Sequence, residues 1–341
     1  MEKVMLFGRK LDELKEIVKK LGLTSFTSKQ ISEWLYRKQI SSFDEMTNLS
    51  KEARSKLNDN FEIGLNEPVK VEISEDGTKK YLFKTSQEKY IETVFIPDNE
   101  RGTLCVSSQA GCKMGCEFCM TGKQGFQGNL TSGEILNQLV SIPERKIISN
   151  IVYMGMGEPL DNIDNVLSSL EILTSDYGMQ MSPRRITVST IGIIDGLTKF
   201  IDKSDCHLAV SIHNPFNEER KSLVPVQQTN PITEIINIIK KYDWRHQRRV
   251  SFEYIMFKGL NDTDSHLNRL IRLLSNIFCR VNLIYFHEIP NVAFKPSDES
   301  TMIKFRDGLN KKEIICTIRK SRGQDISAAC GMLSTKVFTG K

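Results

Sequence analysis

Hydrophobic residues recur every three to four positions through residues 9–22, at Leu11, Leu14, Val18 and Leu21, the spacing of one buried helical stripe. A second helix is predicted to follow Thr27 or Ser28, with Ile31, Trp34 and Leu35 on its inner face, and a third spans residues 51–59. Residues 1–65 therefore read as a small helical unit. The pattern then changes to strands: VKVEIS, KKYLF and YIETVFI, with Glu75-Asp76-Gly77-Thr78 turning between the first two. These strands make residues 66–100 a β extension. From residue 101 to 341 strands and amphipathic helices alternate. TLCVSSQ, NIVYMG, RITVST, HLAVSIH, VSFEYIMF, VNLIYFH and finally IICTIR are the strands, and GEILNQLVSI, NVLSSLEILT, ITEIINIIKKY and SHLNRLIRLL lie among the helices. Six or seven βα units in succession place the chain in the α/β class with a parallel sheet. Short connections favour a full or partial barrel over a doubly wound sheet, with chemistry at the C-terminal ends of the strands.

Composition narrows the class of partner more than the fold. Of 341 residues, 39% are hydrophobic and 26% charged, which excludes a disordered chain and suits one large or two ordinary domains. Lys and Arg number 47 against 42 Asp and Glu, a net charge of +5. That balance permits RNA as a partner without announcing it. Basic and acidic residues nearly cancel in the helical unit, so it is not a basic nucleic-acid arm. No apolar run approaches the ~18 residues needed to span a bilayer, and MEKVMLFGRK has no secretory core. The expected compartment is the cytosol.

Eight cysteines stand at positions 105, 112, 116, 119, 206, 279, 316 and 330. Three are clustered and the others scattered, which is no disulfide framework for a chain of this size. Cys112-Lys113-Met114-Gly115-Cys116-Glu117-Phe118-Cys119 follows the first strand of the alternating region. Three thiolates spaced C-x3-C-x2-C converge from one loop on a soft metal. Zinc usually demands a fourth Cys or His, and none follows at zinc-finger spacing. A [4Fe-4S] cluster held by three thiolates instead keeps one iron open for a ligand that is not protein. A zinc knuckle or three buried thiols are the alternatives.

With an aromatic residue before the third cysteine, this loop resembles the signature of radical S-adenosylmethionine (SAM) enzymes. TLCVSSQAGC, MGMGEPLDN, ITVSTIG, LAVSIH and DISAACG, in that order, are similar to the RlmN/Cfr family of RNA adenine methyltransferases across about residues 85–335. The resemblance implies a partial (β/α)6-type radical SAM barrel, a [4Fe-4S] cluster on Cys112, Cys116 and Cys119, and SAM chelated to the open iron. It implicates Gly157 and Glu158 of the GEP motif, Ser189, and Ser211-Ile212-His213 as SAM contacts. His287, at the sixth strand's end, is the last implied SAM contact; the better-known members carry Asn there, and His is a polar group whose protonation depends on pH.

The resemblance also assigns two thiols and a base. Carbons 2 and 8 of adenine are electron-poor, so direct polar attack on the SAM methyl should fail. Cys330 is implied to take a methyl from one SAM, as a thiolate nucleophile. A second SAM yields an adenosyl radical that removes hydrogen from this methyl; the resulting methylene radical adds to the base, and loss of an electron and the ring proton leaves a thioether between enzyme and RNA. Cys105 then attacks the Cys330 sulfur, forming a transient disulfide and freeing the product. Glu92 matches the family's proton acceptor; a solvated strand carboxylate is its plain alternative.

The implied substrates are 23S rRNA and tRNA beside the anticodon, methylated at adenine C2. The C8-methylating branch is the runner-up, since it tends to carry Ala where this chain has Pro159. A non-catalytic iron–sulfur or zinc protein that binds RNA is the reading from another class. An electron donor such as flavodoxin or ferredoxin is implied, no membrane partner is expected, and a monomer is the default. Arg319-Lys320-Ser321-Arg322-Gly323, just before Cys330, is the candidate grip on phosphates around a splayed-out base. Trp244 to Arg249 and Arg184-Arg185 are further basic clusters, read as solvated faces.

Overall fold

A computed structural model describes residues 3–244, 248–290, 292–319, 322–323 and 325–326. Near the N-terminus, β1 (Val4–Met5) pairs in parallel with β2 (Phe61–Glu62) and brackets the helices α1 (Leu11–Lys20), α2 (Ser25–Glu33) and α3 (Lys51–Asn60). α1 buries Leu14 and Val18, and carries Asp12 and Glu13 in its first turn and Lys19 and Lys20 in its last. That charge arrangement complements the helix dipole. α2 starts at Ser25, earlier than the expected start after Thr27 or Ser28. The reason is local. Ser28 Oγ donates to the Ser25 carbonyl at 2.7 Å, so a residue that looks like a cap lies inside the first turn.

The remaining strands are β3 (Lys70–Ile73), β4 (Lys79–Lys84), β5 (Tyr90–Asp98), β6 (Arg101–Cys105), β7 (Gln109–Gly111), β8 (Phe126–Asn129), β9 (Ile148–Tyr153), β10 (Ile186–Thr190), β11 (His207–Ser211), β12 (Val250–Met256), β13 (Cys279–Tyr285) and β14 (Ile315–Arg319). The helices are α4 (Met120–Lys123), α5 (Ser132–Val140), α6 (Ile163–Thr174), α7 (Ile194–Lys203), α8 (Asn217–Leu223), α9 (Ile232–Ile239), α10 (Asp264–Leu274) and α11 (Glu299–Asn310). Ten strands form one sheet in the order β14-β13-β12-β11-β10-β9-β6-β5-β4-β3. From β6 to β14 every pair is parallel and neighbours follow chain order, the signature of a barrel wound in one direction. β14 is an edge, so the barrel stays open. At its other side β5, β4 and β3 extend the sheet antiparallel.

The two faces differ sharply. Leu104, Ile151, Ile186, Val188, Leu208, Val210, Phe252, Tyr254, Val281 and Leu283 point to the helices and are at most 1% exposed. The other face carries Lys80, Glu92, Cys105, Thr187, Ser189, Ser211, Ser251, Glu253, Asn282 and Thr317, placed together by register (Lys80↔Val94↔Cys105↔Val152↔Thr187; Ser211↔Glu253↔Asn282↔Thr317). Parallel sheets are ordinarily apolar on both faces. Polar residues on this concave face mark it as one built to hold a ligand rather than a packed core.

The helical unit seats on the barrel through a glycine contact. Ser132 Oγ donates to the Gly8 carbonyl at 2.7 Å, and a Cβ on Gly133 would stand 2.4 Å from the Phe7 carbonyl oxygen. Among the described residues no helix is long and apolar enough to cross a membrane. Gly133→Val should therefore pry this junction apart, lowering stability by about 1–3 kcal/mol; urea unfolding checks it, and an unchanged midpoint would mean the contact is slack.

Candidate active site

The cysteine loop is the connection of a small hairpin, β7 with β8. TLCVSSQ was expected as one strand; in fact β6 ends at Cys105 and Gln109 begins a separate ribbon. Gly111 (φ +67°) permits this turn, since a Cβ there would overlap the Gly125 carbonyl oxygen at 1.8 Å. Cys112 N–H donates to that same oxygen at 3.1 Å. Cys112 and Cys116 are buried and Cys119 is half-buried, at the start of α4. Around them pack Met114, Phe118, Ile191, Leu223, Val224, Phe257, Phe286 and Ile289. Burial pushes the Cys112 thiol up to about 12 and the Cys116 thiol well above its usual range, and the neighbouring Cys119 adds to both shifts. Arg220 opposes the shift at Cys116.

These residues fit a metal cluster. The donor set is three soft thiols on one short loop within an apolar box, which by its chemistry suits an iron–sulfur cluster.

The GEP motif is set by side chains reaching in from elsewhere. Gly155 N–H donates to the Val106 carbonyl at 3.0 Å. Gly157 has φ +97°, and a Cβ there would lie 2.7 Å from the Gln109 backbone nitrogen. Gln109, fully buried, accepts from Glu158 N–H at 2.8 Å and donates to Asn129 and Asp161, each at 2.8 Å. The Glu158 carboxylate turns inward. It accepts from Leu160 N–H at 3.0 Å and Ile191 N–H at 2.8 Å, tying the β9 loop to the end of β10. Burial pushes its pKa up to about 7, against these hydrogen bonds.

His213 follows β11 with φ +56° and is buried. Its Nδ1 accepts from Ile255 N–H at 3.1 Å, which places the ring proton on Nε2. The ring meets Phe118 edge-on at 4.8 Å, so this histidine touches the cysteine loop directly. Burial, aided by the charge of Arg220, pulls its pKa down to about 3. Ser189 and Ser211 are half-buried on the concave face, whereas the Ile212 side chain is buried and its N–H donates to the Glu253 carbonyl at 3.0 Å. His287 sits beside Phe286 of the apolar box, and burial lowers its pKa.

Glu92 is not a solvated strand carboxylate. It is 2% exposed and accepts from Lys80 Nζ at 2.8 Å, both side chains being shut off from water. Cys105 is 8% exposed on the same face. Cys330 lies outside the described residues. The segment leading to it is clasped by the β3–β4 turn: Gly323 N–H donates to Asp76 at 3.0 Å, Glu75 N–H donates to Asp325 at 2.9 Å, and Ser74 bonds Asp325.

The proposed phosphate grip divides. Arg319 turns toward the concave face, 3.5 Å from the Glu253 carboxylate, and Arg322 pairs with Asp76 at 4.0 Å. Lys320 and Ser321 lie outside the described residues, as do Arg245, His246 and Gln247. Trp244 is buried and Arg248 donates to the Ile201 carbonyl at 2.7 Å, so these two brace the fold, whereas Arg184 and Arg185 are exposed. Sequence reading missed Gln109, Lys80, Arg220 and Glu253. Among the described residues Glu253 Oε2 is buried without a hydrogen-bond partner, in the row of Ser211 and Asn282, as expected of a face awaiting a polar ligand.

An open parallel barrel with a three-thiol loop after its first strand defines the class. The description "Radical SAM superfamily" matches residues 106–274, and "Ribosomal RNA large subunit methyltransferase N-terminal domain" matches residues 4–63. A radical SAM methyltransferase from Sphaerobacter thermophilus superposes with TM-score 0.89 at 38% identity, covering 96% of this chain and 98% of that one. The "Probable dual-specificity RNA methyltransferase RlmN" of Phocaeicola vulgatus is 55% identical over 98% of this chain and 95% of its own length. The "Dual-specificity RNA methyltransferase RlmN" of Aliarcobacter butzleri is 43% identical over 98% and 97%. The chain belongs to the RlmN family and is a radical SAM methyltransferase.

Two outcomes follow from the site's geometry. Gly157→Ala forces an L side chain into a left-handed conformation against Gln109, with an expected loss of about 1–3 kcal/mol, read by chemical unfolding. Neutral His213 stabilises the fold above its unfolded pKa of 6.5, and that contribution is lost as pH falls toward about 3. Between pH 6.5 and 4.5 the wild type should lose about 2–3 kcal/mol from this group that His213→Asn does not lose. Glu158 acts with the opposite sign in the same window, present in both proteins, so the difference between them isolates His213.

Proposed function

We propose that this enzyme methylates C2 of adenine in 23S rRNA and in tRNA at the position beside the anticodon. The observation that carries the reading is the shared placement of Cys105 and Glu92, buried on the concave face, Cys105 ending the strand that leads into the three-thiol loop. Family membership supplies the prior. Cys112, Cys116 and Cys119 would hold a [4Fe-4S] cluster, which together with SAM would supply one-electron radical chemistry at this site.

The chain's own residues do the rest. Gly157 and Glu158 of the loop after β9, Ser189, Ser211, Ile212, His213 and His287 are the residues that would orient SAM. The Glu158 carboxylate ties the loop to the end of β10, and its own N–H and carbonyl are taken by Gln109 and Asp161, so the loop is held rigid. Cys330 carries the one-carbon unit to the base. Glu92, held in a dry site by Lys80, takes the ring proton as the adduct gives up one electron, leaving a thioether between Cys330 and the base. Cys105 then attacks the Cys330 sulfur, so one sulfur carries carbon and the other resolves the adduct, leaving a disulfide for an external dithiol to reduce. Flavodoxin or ferredoxin fits the need for a low-potential electron. Pro159 favours C2 over C8.

Digests of RNA from anaerobic reactions should contain 2-methyladenosine; 8-methyladenosine alone would move the enzyme to the C8-methylating branch. Cys330→Ala should never acquire a protein-bound methyl by mass spectrometry. Cys105→Ala should accumulate a covalent protein–RNA adduct, and multiple turnovers by that variant would refute the resolving role. Absence of 5′-deoxyadenosine from reduced, cluster-loaded protein with RNA present favours the non-catalytic RNA-binding alternative.

A further inference from the structure

Arg220 in α8 is fully buried, and its partners do not cancel its charge. Nε donates to the Ile212 carbonyl at 2.9 Å, and Nη2 donates to the carbonyls of Ile191 at 2.8 Å and Ser211 at 3.0 Å. Nη1 donates to Gln227 Oε1. Every acceptor is neutral. A guanidinium stays protonated in proteins, and a buried charge is ordinarily paired because desolvation is expensive. Among the described residues no carboxylate stands within ion-pair distance of Arg220. Its charge bears on the Cys116 thiol and on His213.

The packing agrees. One turn after Arg220, the Leu223 carbonyl accepts from Glu117 N–H at 3.1 Å, inside the cysteine loop. Leu223 and Val224 line the apolar box with Cys112 and Cys116. Pro225 lies against Gly115, the loop's left-handed turn. α8 thus ends against the cysteine loop, while its guanidinium grips the strand-end carbonyls of Ile191, Ser211 and Ile212.

We infer that Arg220 is the buried counter-charge of the iron–sulfur cluster, a positioning residue that raises the cluster's reduction potential while bracing the strand ends where SAM is oriented. This rests on the three-thiol loop holding a cluster, as proposed above. Such a cluster with three thiolates is net negative, and a one-electron reduction adds another negative charge within an apolar box. A fixed cation nearby stabilises the reduced state more than the oxidised one. The field is strongest where water is excluded, and Arg220 is shut off from it.

The test is a potentiometric titration of reconstituted full-length protein without SAM, using dithionite and following the reduced cluster by electron paramagnetic resonance. Gln227→Glu is close to isosteric and sets a carboxylate against Nη1, cancelling the field while keeping Arg220 in place. Arg220→Gln removes the charge, and Arg220→Lys keeps it. In the first two the reduced-to-oxidised ratio at fixed ambient potential should fall about tenfold, a midpoint more negative by about 59 mV for one electron. Arg220→Lys should stay near the wild type. Should Arg220→Gln fail to fold, Gln227→Glu carries the comparison. An unchanged midpoint in Gln227→Glu at equal iron content would reduce Arg220 to a backbone staple and overturn the inference alone. A wild type that takes up no reducible cluster would instead sink the functional reading on which it rests.

Discussion

A parallel barrel that stops before closing leaves the C-terminal ends of its strands crowded with backbone groups that neither water nor a neighbouring strand satisfies. Such groups are costly when buried, so each needs a partner. In this protein a few buried polar side chains supply them. Gln109 takes the Glu158 N–H, Glu158 takes those of Leu160 and Ile191, and Arg220 takes the carbonyls of Ile191, Ser211 and Ile212. The ends of β9, β10 and β11 are thereby locked to each other and to the cysteine loop. The rigidity a cofactor site needs comes from this satisfied network.

The same economy explains the two faces of the sheet. Helices cover one face with Leu, Ile, Val and aromatic side chains, and the concave face is left polar. Two acidic groups buried there receive opposite treatment. Glu92 is paired directly with Lys80 at 2.8 Å. Glu253 has Arg319 at 3.5 Å, accepts from Asn282, and keeps one oxygen free of hydrogen bonds among the described residues. The β extension contributes to both the chemistry and the architecture: β4 and β5 bring Lys80 and Glu92 to the face, and the β3–β4 turn clasps Gly323 and Asp325 on the approach to Cys330.

Much of this was legible in the chain. Alternating strand and amphipathic helix with short links led to the open barrel, and Cys112, Cys116 and Cys119 announced a metal loop by spacing. Other features were not. The start of α2 was misplaced because Ser28 makes a helix-internal hydrogen bond that has the appearance of a cap. The break after Cys105 was hidden because SSQAG is compatible with a continuous strand, and only pairing with β8 defines the ribbon. Arg220 read as one more charged residue in NEERKSL, since nothing in that string says that α8 turns it inward. Arg319 read as a phosphate grip, yet β14 directs it to Glu253.

Local order along the chain was enough to determine which segments become strands and helices, and which loop carries three thiols, because hydrophobic period and ligand spacing are properties of neighbouring residues. Which charges are buried, and against what, was decided only when strands far apart in the chain came into register. Glu92 meets Lys80 across two paired strands, and Arg220 reaches the ends of two others. Burial and pairing are sums over all elements packed around a group, so no single stretch of sequence contains them.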